Sequence, residues 1–189
     1  MKHLFSYLSF LVCTILFFPG CCRYIDWGKK TFKTAETVCT RIDAVHKADV
    51  RFGPMRDPFM TIGLPRVMYR SDEVIEVHER LLAECAGMPE EKVREAVAQL
   101  QEENQTTMIF YVSLYDDKEN WSFSLCKNDV QYEATEIKTI DLDREYSLIF
   151  GKAASRYKQN IYRVTFDVAV SKPFSFVLCN GEYRETLSW

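Results

Sequence analysis

Few side chains in this sequence are of a type and spacing that do chemistry. Three histidines occur, His3, His46 and His78, and neither of the last two stands near a Ser or Cys in a nucleophile motif. The chain contains no nucleophile elbow, no HExxH and no phosphate-binding glycine loop. His78 and Cys85 lie seven residues apart on one helical face. Zinc takes four ligands, or three and a water, and no close pair supplies the others. Asp141 and Asp143 alternate in IDLDRE without the glycine and closing glutamate of a calcium loop, which reads as a solvated turn. The sequence therefore predicts no catalytic residue, no metal site and no cofactor.

The cysteines say more. Cys126 in FSLCKND and Cys179 in FVLCNGE occupy matching places, each one residue past a core leucine and beside a turn. A disulfide between Cys126 and Cys179 would close a loop of about 53 residues, contributing roughly 4 kcal/mol in the chain-entropy model. With Cys39 and Cys85 the four thiols allow about three pairings. The alternative is that all four are free and packed as small hydrophobes.

Cys21 has a different context. Lys2 gives a positive start, Leu4 to Phe18 form an apolar run, and Pro19-Gly20 breaks it directly before Cys21. Such a run is shorter than the roughly 20 residues needed to span a bilayer, and it suits the apolar region of an export signal. The Gly20-Cys21 junction resembles the lipobox of bacterial lipoproteins. That resemblance implies a signal peptide over 1–20 and a thioether-linked diacylglycerol on Cys21, often with a third acyl chain after cleavage. Residues 21–36 then form the anchor and a tether carrying Arg23, Lys29, Lys30 and Lys33. Two or three chains make membrane attachment stable where one is marginal. Cys22 after the anchor agrees, by the same resemblance, with the outer rather than the inner membrane in a Gram-negative host.

The elements that position these residues are legible from periodicity. The formal charge is −3, and no basic cluster lies beyond the tether, which argues against nucleic-acid binding. Residues 37–189 are long enough for one domain with its own core. Val38 to Phe52 alternates apolar and charged positions and predicts one long half-buried strand, with His46 on its apolar parity. Gly53-Pro54, Asp57-Pro58, Gly63 and Pro65 predict an irregular stretch in which Arg56, Asp57, Phe59 and Met60 offer a contact surface. From Asp72 the period becomes helical, with Ser71 or Asp72 as N-cap, Gly87 as stop and a second helix from Pro89 to Asn104. This is an αα-hairpin at about 72–104.

Beyond it strands follow one another. Met108, Phe110, Val112 and Leu114 share a parity, as do Trp121, Phe123 and Leu125. Val130 and Tyr132 follow a turn at Lys127-Asn128-Asp129. Tyr146, Leu148 and Phe150 predict a short strand, Tyr162 to Val170 a long one, and Asn180-Gly181 a hairpin joining Phe174–Leu178 to Tyr183–Trp189. The whole reads as mainly β: an antiparallel Ig-like or transthyretin-like β-sandwich with an inserted α-helical hairpin. A sandwich carrying helices on a lipid tether resembles, in architecture, the small outer-membrane lipoprotein of type VI secretion systems. The expected function is a membrane-anchored, non-catalytic binding or assembly component of the cell envelope, with another envelope protein as partner. The alternatives are a periplasmic small-ligand carrier, with Tyr111, Tyr115, Trp121 and Tyr157 lining an apolar pocket, and a secreted enzyme without a recognisable motif. A carrier predicts a closed apolar cavity, an assembly protein an exposed apolar or unpaired edge, an enzyme titratable groups converging in a cleft.

Overall fold

The computed structural model describes residues 39–53, 65–114, 120–150, 160–181 and 183–189. The signal stretch, Cys21, Cys22, the tether, the Arg56–Met60 surface, Tyr115 and Tyr157 lie outside them. By backbone contacts the chain forms two units, 1–41 and 42–189, and the architecture below is that of the second.

Residues 39–49 are helical (α1) and lead into strand β1, Val50–Phe52. Then come β2 (Arg66–Tyr69), α2 (Asp72–Ala86), α3 (Glu90–Asn104), β3 (Met108–Leu114), β4 (Ser122–Lys127), β5 (Val130–Glu133) and β6 (Glu136–Ile140). Helix α4 (Arg144–Phe150) precedes β7 (Asn160–Phe166), β8 (Ser175–Asn180) and β9 (Tyr183–Ser188). Two antiparallel sheets result, a five-stranded one ordered β1-β2-β3-β7-β6 and a four-stranded one ordered β5-β4-β8-β9. This is the β-sandwich the alternation predicted.

Its core is aromatic. Phe110 and Phe166 from the larger sheet meet Phe123 and Phe176 from the smaller, the Phe110–Phe176 centroids 4.7 Å apart. Phe110 meets Phe166 edge-on at 5.7 Å, a geometry that adds roughly 0.5–1.5 kcal/mol to area burial. The chain changes sheets within two residues at the β5–β6 corner. There the Ala134 N–H donates to the Phe123 carbonyl in one sheet and the Thr135 N–H to the Thr165 carbonyl in the other. At the β4–β5 turn Asn128 and Asp129 both take positive φ, which short polar side chains tolerate.

The helical hairpin forms where the sequence places it. Ser71 is the N-cap of α2, its Oγ accepting from the Val74 N–H at 3.2 Å. Gly87 ends the helix in the left-handed region, its N–H returning to the Ala83 carbonyl. The hairpin enters between β2 and β3, and α2 and α4 cover the face of the larger sheet turned away from the sandwich core. β3 is consequently buried at all seven positions.

Two expectations are corrected. Val38–Phe52 is not one strand: 39–49 are helical and only Val50–Phe52 pair in the sheet. Val45, the apolar residue on the charged parity, is buried, as is Asp49, and Ile42 and His46 are half-buried, so the inward positions recur at helical spacing. Tyr146, Leu148 and Phe150 belong to helix α4. There Tyr146, Ile149 and Phe150 are buried and Leu148 points out, 41% exposed. β2 and β6 are strands the alternation did not reveal.

Candidate functional site

Two groups of polar side chains are organised by this fold, and they differ in access. The first lies between the outer face of the larger sheet and its helices. On that face β3 contributes Tyr111, paired across to Arg163 of β7. α2 lowers His78 and Glu79 onto it, and α4 lowers Tyr146. His78 and Tyr146 stack with ring centroids 3.7 Å apart, and Tyr146 meets Tyr111 at 4.9 Å, the two hydroxyls hydrogen-bonded. The His78 Nδ1 lies 2.9 Å from Glu79 Oε1, and both residues are buried. Arg70, only 4% exposed, donates through Nη2 to Glu103 Oε2 at 2.6 Å and to Asn104 Oδ1 at 3.0 Å. Arg163 reaches the other oxygen of Glu103 at 3.5 Å.

Burial raises the Tyr111 hydroxyl pKa, opposed by the Arg70 charge. It raises that of Tyr146 further, with Tyr111 adding to the effect. The chemistry present is thus that of neutral phenols, a histidine–glutamate pair and two arginines clamping one carboxylate. Glu103 sits in the last turn of α3, where the helix dipole disfavours an acid. The arginines compensate that and pin the hairpin to the sheet.

The second group is open. Where α2 begins and α3 ends, a groove of about 290 Å³ runs past the 170–174 connection. Its floor is the rim of the sandwich core, Tyr69 and Phe174, meeting edge-on at 5.3 Å. Asp72, Glu73 and Gln101 stand on one side and Lys172 on the other. The walls are braced. Asn104 donates to the Arg70 carbonyl at 2.9 Å and to Asp72 Oδ1 at 3.0 Å. Beneath them Asp49, 1% exposed, accepts from Ser71 Oγ at 2.7 Å and from Lys172 Nζ at 2.9 Å, and its carbonyl accepts from Trp189 Nε1 at 3.2 Å. The Lys172 ammonium lies 5.7 Å from the Tyr69 ring centroid, a cation–π arrangement. Burial, and then the Asp72, Asp49 and Glu73 carboxylates, push the Tyr69 hydroxyl up to about 12. The groove is electronegative with an aromatic floor.

Of the residues singled out from sequence, His78 and Tyr111 belong to the first group and the others fall elsewhere. Cys126 and Cys179 are free thiols, and the proposed disulfide is overturned by register. Cys126 pairs with Ser175 and Cys179 with Ser122, four residues apart along adjacent strands. That places them roughly 13 Å apart at about 3.4 Å per residue, where a disulfide needs Cα atoms within about 7 Å. Cys39 is free and exposed. Tyr111 and Trp121 do not share a pocket: Tyr111 lies under the helices, and Trp121 packs edge-on against Tyr183 at 5.6 Å. His46 is held by the main chain, its Nδ1 2.7 Å from the Ile149 carbonyl oxygen. His78 packs on Tyr146 as described, and Cys85 lies on α2. Among the described residues no group of three His, Cys, Asp or Glu side chains converges on a metal position, and no helix is long and apolar enough to cross a membrane. Sequence reasoning missed Arg70, Glu103 and Lys172; the first two are charges at or next to the end of an element, and Lys172 in the 170–174 connection carried no local signal.

No protein-family model matches the chain, and no curated protein does. Among solved structures it is similar to a novel protein of unknown function from Burkholderia pseudomallei K96243. The two are 10% identical over 85% of this chain and 88% of that one, with a TM-score of 0.48.

Proposed function

We propose that the chain is a lipid-anchored component of the cell envelope whose sandwich domain binds a partner protein without catalysis, using the open groove. The observation that carries this reading is the difference in access between the two polar groups. Histidine, glutamate and tyrosines of the inner layer are closed off beneath α2 and α4. The groove faces solvent with rigid, hydrogen-bonded walls. Pre-organised walls lower the ordering cost of binding. Its surplus of carboxylates and its aromatic floor suit a lysine or arginine side chain presented by the partner, in the place Lys172 now occupies over Tyr69. The lipid at Cys21 would hold the domain at a surface and raise its effective concentration there. A carrier of small amines is the second reading, favoured by a groove volume near the lower end of small-ligand sites, roughly 300 Å³.

Intact mass of the chain extracted from host membranes, beside Cys21→Ala, tests the anchor. A species lacking residues 1–20 and bearing acyl chains, with the variant released from membranes, is expected. An unacylated species, soluble in both forms, would sink the lipoprotein reading. For the groove, a photo-crosslinking residue at Gln101 should capture an envelope protein in intact cells, and Asp72→Lys with Glu73→Lys should abolish the adduct. A small amine that raises the melting temperature instead would favour the carrier.

A further inference from the structure

The two edges of the five-stranded sheet are finished differently. At β1 the edge is tied to the other sheet, with Arg51 Nε donating to the Ser188 carbonyl at 2.8 Å. At the opposite edge β6 pairs with β7 and, among the described residues, with no other strand. Ile137, its second residue, is 44% exposed. β6 contains neither proline nor glycine to discourage a further strand. The order of its residues is self-complementary. Glu136-Ile137-Lys138 laid antiparallel on a second copy of itself about Ile137 puts Glu136 opposite Lys138 and Lys138 opposite Glu136. Ile137 then faces Ile137.

We propose that β6 is a homodimerisation edge, on which a second copy of this chain adds its own β6 across a two-fold axis. The sheets of the two copies then run on as one. Directly opposed Ile–Ile and opposite-charge pairs are stabilising units of an antiparallel ladder, and self-complementarity is what a two-fold interface demands. Within one chain Glu136 and Lys138 already pair at 2.6 Å, both side chains well exposed. That places the charges side by side on one face, ready for the reciprocal contact. Charged edge residues ordinarily keep strands from adding. Here their signs reject a strand of arbitrary sequence and accept this one reversed.

The test uses the full chain in detergent. Sedimentation should give a dimer. Lys138→Glu or Glu136→Lys, each setting like charges opposite one another, should weaken it by about tenfold or more. The double swap, Glu136→Lys with Lys138→Glu, restores the complementarity and should restore the dimer. Ile137→Cys should cross-link to itself on mild oxidation well above the parent chain with its native cysteines, since opposed residues lie within disulfide reach. A monomer throughout, a dimer indifferent to either reversal, a swap that stays dissociated, or an Ile137→Cys chain that links no better than the parent overturns the proposal.

Discussion

β3 shows two faces of one strand in two chemistries. Met108, Phe110, Val112 and Leu114 enter a core of aromatic and aliphatic groups. Ile109, Tyr111 and Ser113 enter a layer where helices bring histidine, glutamate and tyrosine. Both faces are equally dry. The first is held by shape and area, the second by hydrogen bonds and ion pairs, and the two should fail differently.

The largest effect is expected on the aromatic face. Phe110→Ala removes a ring in contact with Phe166, Phe176 and Trp189 and should cost about 3–5 kcal/mol, read as a lowered denaturant midpoint. In the polar layer, Glu103→Ala leaves buried Arg70 without its carboxylate and should cost roughly 2–3 kcal/mol. Glu103→Gln, which keeps an acceptor, should recover part of this in the same titration. Lys172→Met leaves the buried Asp49 carboxylate to Ser71 alone and should cost roughly 1–3 kcal/mol while emptying the Tyr69 face of its cation.

Tyr146→Phe is smaller, about 1 kcal/mol for one hydrogen bond, and it sharpens the comparison through pH. Unfolded tyrosine releases its proton near pH 10. Folded Tyr69 keeps its proton up to about 12, and Tyr111 and Tyr146 are also raised. The stability they lend is complete below pH 10 and is lost as pH climbs through the folded values, because the unfolded chain deprotonates first. The midpoint should therefore fall between pH 10 and 12, less steeply in Tyr146→Phe or Tyr69→Phe. Smallest of all, Cys126→Ser with Cys179→Ser should leave stability within about ±0.5 kcal/mol of the parent, and a reductant should leave the melting temperature unchanged.

The two faces also differ in how far they could be read in advance. Phe110, Phe123, Phe166 and Phe176 announce themselves because a strand facing a core repeats every second residue. Ser71 and Gly87 announce the ends of α2 because caps have few chemical solutions. The polar layer has no such local rule. Arg70, Glu103 and Arg163 are 33 and 60 residues apart in their contacts, so their meeting depends on how the hairpin lands. The same holds at 39–49, where alternation and helical spacing coexist in one string and tertiary burial of Val45 and Asp49 decides between them. It holds again for Cys126 and Cys179, whose matching contexts fix the face each occupies but not their register.

Asp49 has a mechanical consequence. A pull entering through the last turn of α1 would otherwise fall on β1, three residues long. At Asp49 the load divides: the carboxylate passes it to the cap of α2 through Ser71 and to the 170–174 connection through Lys172, and the carbonyl passes it to Trp189. Tension arriving there is shared by three segments from both sheets and the hairpin, so the sandwich is gripped at a knot and not unzipped from an edge.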